Sequence, residues 1–167
     1  MKKFELTTNT KMFLGKKLFQ IKALINFGDV EAGELGGYIE KEENLSQTGD
    51  AWVSDDACVF GNACVFGNAC VSGNACVSGD ACVYGNARVS GNACYTTIKG
   101  FGREYRTTTF FKCKDGKVRV RCGCFYGDLK EFRAIVKETH GESKKAKEYL
   151  MIADLMELHF EENENDK

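Results

Sequence analysis

Residues 59–94 read VFGNAC VFGNAC VSGNAC VSGDAC VYGNAR VSGNAC, six hexads in unbroken succession. A short fixed period marks a repeat architecture, in which each unit buries its apolar face only by stacking on its neighbours. Aligned on valine, the pattern extends back through Val53 and, more weakly, to Gln47. At three hexads to a triangular coil, roughly eight hexads make just under three coils, stacked at the strand spacing of about 4.8 Å. The spacing predicts a mainly β chain built on a short left-handed parallel β-helix of about three coils over residues 44–98, a rigid scaffold and not a catalytic site.

Residue type assigns the inside and the outside. Val53, Val59, Val65, Val71, Val77, Val83 and Val89, with the alanine two residues before each, are the uniformly small apolar positions that a narrow prism holds. Gly-Asn and Gly-Asp supply corners that tolerate positive φ. The neighbours of the valines then point out in columns: Cys58, Cys76 and Cys94; Cys64 and Cys82; Trp52, Cys70 and Arg88. In-register thiols run alongside one another instead of meeting, so a ladder of free thiols is expected, with a soft-metal or redox strip as the functional alternative. Phe66 under Tyr84, with Phe60 nearby, forms an outward aromatic column. Such a column is either covered by another part of the chain or offered to a partner.

The flanks have different compositions. Residues 1–43 read as an N-terminal β cap, with a hairpin turning near Gly15 and Lys16. Residues 99–162 read as a hairpin followed by two helices, and residues 163–167 as a disordered tail. Asp115-Gly116 is a two-residue turn signal. Setting Lys114 opposite Lys117 puts Cys113, Phe111 and Thr109 on one side and Lys112, Arg119, Arg121 and Phe110 on the other. Asp128 with Glu131 makes a capping box for a first helix ending at His140-Gly141. A second helix spans about Ser143 to Phe160, and its excess of apolar residues predicts burial on two sides, as in a homodimer.

Overall charge excludes a strong field: 23 Lys and Arg stand against 24 Asp and Glu. Residues 99–121, however, hold eight basic groups against two acidic ones. Arg103, Arg106, Lys112, Arg119 and Arg121 are the candidates for phosphate contact, with Phe110 or Tyr105 as a stacking surface. The plain alternative is a solvated sheet face protected by basic residues. Cys122, Cys124 and His140 invite a zinc reading, against which stands the separation of about 6.6 Å between residues i and i+2 on a regular strand. Most simply those thiols line a core, His140 sits at a helix C-terminus, and no cofactor is bound. The chain has no apolar run of membrane-spanning or secretory length, and its nine cysteines are an odd number with six on the hexad grid. Both features predict a cytoplasmic protein with reduced thiols and no membrane partner.

Enzymes built on hexapeptide coils take histidines from the coils, whereas His140 and His159 both lie outside them. That argues against catalysis by the repeat. The run GELGGYIEKEENLSQTGDAWVSDDACVFGNA (residues 33–63) resembles the opening of a family of bacteriophage and prophage hexapeptide-repeat proteins. DGKVRVRCGCFYGDLKEFRAIVKETHGESKKAKEYL (115–150) resembles a small α+β domain found at the C-terminus of those proteins. The resemblance carries over no catalytic residues. It implies a non-enzymatic phage accessory protein in the host cytoplasm, with an anti-defence role of the anti-CRISPR type or a similar one. Its partner would be a host immune protein, that protein's nucleic acid, or a nucleotide signal. Phe66, Tyr84 and the basic hairpin would supply the binding surface. A structural or assembly protein of the phage and a zinc-dependent enzyme are the alternatives.

Overall fold

The computed structural model describes residues 1–161; the tail expected at 163–167 lies outside them. Strands β1 (Phe4–Phe13) and β2 (Lys16–Ala23) form an antiparallel hairpin. Its turn is Leu14-Gly15, both at positive φ (48° and 77°). Strand β3 (Leu35–Ile39) pairs antiparallel with β2 on one edge and parallel with a hexad strand on the other. The hexads contribute seven strands of two residues each: β4 (Trp52–Val53), β5 (Cys58–Val59), β6 (Cys64–Val65), β7 (Cys70–Val71), β8 (Cys76–Val77), β9 (Cys82–Val83) and β10 (Arg88–Val89).

The expectation of a left-handed β-helix is corrected by the sheet arrangement. The strands fall into several small sheets, a mixed one (β1-β2-β3-β5-β8), two short parallel ones (β10-β7-β4 and β6-β9) and a separate antiparallel sheet of four, accompanied by two helices. The β5–β8 pair is continued by chain from outside the repeat, so that the N-terminal hairpin and β3 share one sheet with it, whereas β10-β7-β4 and β6-β9 consist of hexad strands alone.

The local consequences of the period hold. Cys58 pairs with Cys76, Cys64 with Cys82, and Trp52 with Cys70 and then Arg88, all in parallel. All seven repeat valines are fully buried, each worth roughly 1.5–3 kcal/mol of transfer free energy. Cys94 leaves its expected column: it ends a short 3-10 turn (Asn92–Cys94), with its thiol 3.5 Å from the Ser90 hydroxyl.

Beyond the repeat, β11 (Tyr95–Ile98), β12 (Thr108–Lys112), β13 (Val118–Cys122) and β14 (Phe125–Asp128) make the antiparallel sheet. Helices α1 (Leu129–His140) and α2 (Lys144–Phe160) pack on one face of it. Asp128 caps α1 as its sequence foretells: its carboxylate accepts from the Glu131 amide at 2.9 Å, and its own amide donates to the Glu131 carboxylate at 2.8 Å. Ser143 caps α2 through the Ala146 amide.

The hairpin between β12 and β13 is not in the expected register. Lys112 pairs with Val118, Phe111 with Arg119 and Phe110 with Val120. The turn is Lys114-Asp115-Gly116, with Gly116 at φ 75° and the Cys113 amide donating to the Lys117 carbonyl at 3.0 Å. Slipping one residue in a strand pair moves a whole side-chain set to the opposite face. Phe110, with Val120, thus faces the helices and is fully buried against Phe132. Phe111 and Cys113 face the hexad strands. The sheet is a middle layer between two cores, and the exposed basic face centred on Phe110 does not exist.

Candidate functional site

Loop 99–107, between β11 and β12, crosses over the end of the antiparallel sheet. Gly102 at φ 77° brings it against α2, where a β-carbon would collide with the Tyr149 ring. The Tyr149 hydroxyl donates to the Phe101 carbonyl at 3.2 Å. At the opposite lip, Gly123 at φ 59° and Cys124 turn the chain from β13 into β14. A β-carbon on Gly123 would stand 2.5 Å from the Arg106 guanidinium. Glycine at both places lets loop, turn and helices enclose a cavity of about 300 Å³.

The floor of that cavity is aromatic. Phe101, Phe125, Phe132 and Tyr149 line it, with Phe132 packed edge-on to Tyr149 at 5.6 Å. His140 stacks on Tyr149 at 6.0 Å and an interplanar angle of 23°. The rim is polar: Arg103, Arg106, Glu104, Thr139 and the two cysteines of the turn. Arg103 is 83% exposed and only loosely paired with Glu104 at 3.9 Å. Burial, followed by the neighbouring Cys122 thiol, pushes the Tyr149 hydroxyl up to about 12, so it stays a hydrogen-bond donor. An aromatic floor beneath two guanidinium groups suits a planar ring carrying an anionic group.

Five of the residues singled out in the sequence meet here: Arg103, Arg106, Cys122, Cys124 and His140. The latter three do not converge as a ligand set, and among the described residues no group of three or more His, Cys, Asp or Glu is placed to hold a metal ion. Cys122 accepts from the Thr108 hydroxyl at 3.2 Å and lies 4.0 Å from the Tyr149 hydroxyl, while Cys124 is exposed.

The other candidates lie elsewhere. Phe110 is core, and Lys112 is half-buried at the end of β12. Arg119 is paired with Asp115 at 2.7 Å, away from the cavity. Arg121 lies over Tyr84, 5.5 Å from its ring. Phe66 and Tyr84 stack at 4.5 Å, and Tyr126 of β14 meets Tyr84 edge-on at 4.9 Å. The outward aromatic column is therefore covered, at least in part, by the chain's own sheet.

Sequence reasoning passed over Phe101 and Phe125 and placed Tyr149 only on a helix core face. The available signal was Phe101-Gly102, an aromatic beside a glycine in a basic loop. No protein-family model matches the chain, and no curated protein matches it. Among the described residues no helix is long and apolar enough to cross a membrane.

Proposed function

We propose that this chain is a non-enzymatic phage accessory protein that acts in the host cytoplasm and counters a bacterial defence system by capturing a nucleotide signal. The observation that carries the reading is the convergence of Arg103 and Arg106 on a cavity floored by Phe101, Phe125 and Tyr149. At about 300 Å³ the cavity is at the small end of ligand sites, a size for one base and its phosphate. Arginine supplies bidentate recognition of phosphate, and aromatic faces take a base of any identity. The resemblance to phage hexapeptide-repeat proteins supplies the anti-defence context. The exposed stripe Met151, Leu155 and Leu158 on α2 favours a homodimer as the working unit.

Native mass spectrometry of the protein purified from a bacterial host without chelators tests this reading. A retained nucleotide of defined mass, lost in Arg106→Glu, supports it. A protein that retains none and binds none on addition of mono- and cyclic dinucleotides contradicts it. A bound zinc ion lost in Cys124→Ser would instead favour the metal-site alternative.

A further inference from the structure

Of the columns of outward cysteines, one differs in its surroundings. Cys64 and Cys82 occupy adjacent parallel strands in direct register, and both are half-exposed. The two thiols are neighbours, and the positive charge of the Arg121 guanidinium acts on both. Arg121 is itself fixed over the Tyr84 ring and donates to the Cys124 carbonyl at 3.4 Å. The Cys82 amide donates to the Thr109 hydroxyl at 3.0 Å, which ties the rung to the antiparallel sheet. Cys58 and Cys76 also stack, but Cys58 is 4% exposed, packed among Leu18 and Phe60 and closed to an ion from solvent. Cys70 stands between Trp52 and Arg88, with no thiol as strand neighbour.

Parallel rungs hold in-register side chains about 4.8 Å apart. A disulfide needs its sulfurs at about 2.05 Å, which side chains running alongside one another do not reach without backbone movement. Two thiolates on opposite sides of one metal ion, each at about 2.3 Å, need about 4.6 Å. The stacking distance matches the second arrangement. Tetrahedral zinc would want further ligands, and no third His, Cys, Asp or Glu joins the pair among the described residues. We propose that Cys64 and Cys82 form a two-coordinate thiolate site for a soft monovalent cation of the Cu(I) or Ag(I) class. Binding releases the thiol protons, and the Arg121 charge offsets the net negative charge left on the dithiolate complex.

Anaerobic competition for Cu(I) against a chromophoric chelator, with the full-length reduced protein, is the test. The wild-type protein is expected to withhold one Cu(I) per chain at chelator concentrations where Cys82→Ser and Cys64→Ala withhold none and Cys70→Ser still withholds one. Arg121→Gln is expected to weaken retention about tenfold. Near-identical circular dichroism spectra identify variants that have kept the fold. Retention of the same Cu(I) by folded Cys82→Ser and Cys64→Ala overturns the proposal. So does failure of the wild-type protein to withhold copper, or peptide mapping that finds Cys64 and Cys82 joined as a disulfide in the reduced preparation.

Discussion

The Tyr149 hydroxyl donates to the Phe101 carbonyl at 3.2 Å, joining residues 48 positions apart. Through this bond α2 holds the loop that carries Arg103 and Arg106 over the cavity. Tyr149→Phe removes the bond and keeps the ring, so stability should fall by about 0.5–1.5 kcal/mol. Hydrogen exchange at residues 101–106 should quicken while exchange in the hexad strands stays unchanged.

Phe110 distinguishes a core role from a surface one. Fully buried beside Phe132, it should cost about 3–5 kcal/mol when cut to alanine, read as a lower denaturant midpoint. Arg103→Glu and Arg106→Glu are expected to leave that midpoint nearly unchanged, because both side chains are exposed.

How far the sequence speaks follows from the range of the interactions involved. The inward burial of the repeat valines and the capping box at Asp128 depend on residues close in the chain, and both are found, whereas the β-helix inferred from the same period is not. The hairpin register turned on whether residues 114–116 close a two- or a three-residue turn, and one position reversed the fate of Phe110. The assembly of sheets depends on β3 and β5 pairing across the chain, which a six-residue period does not encode. The cavity is further removed still: it needs Gly102 and Gly123 to bring loop and turn together, and only Arg103, Arg106, Cys122, Cys124 and His140 of its lining announced themselves.

Gly36 marks the tightest junction between β3 and the hexad strands. A β-carbon there would stand 2.5 Å from the Val53 carbonyl oxygen and 2.6 Å from both Ile21 and Trp52. Gly36→Ala should therefore destabilise by about 1–3 kcal/mol or more. Gly91→Ala, where a β-carbon meets nothing within 4 Å, serves as the near-neutral comparison in the same thermal or denaturant measurement.

Lys3 is 1% exposed and donates to the Ala51 carbonyl at 2.7 Å and the Gly49 carbonyl at 3.2 Å. Burial lowers it from 10.5 to about 8, partly countered by Asp50. Below pH 8 both folded and unfolded chains carry this proton, and the penalty for burying the charge is fully present. Between pH 8 and 10.5 the unfolded chain binds more protons than the folded one, so this group's contribution raises stability with pH, by an amount on the order of 3 kcal/mol at most. Unfolding free energies at pH 7.0 and 9.5 should show the wild-type protein gaining relative to Lys3→Met across that interval. Equal changes in the two proteins would show that Lys3 titrates alike in both states.

The central claim, that the cavity under loop 99–107 receives a nucleotide, is tested most directly by amide chemical shifts during titration with mononucleotides and cyclic dinucleotides. The account predicts saturable shifts concentrated at residues 101–106, 122–125 and His140, and their loss in Arg106→Glu. Absence of saturable shifts with every nucleotide, or shifts confined to the hexad strands, would contradict it.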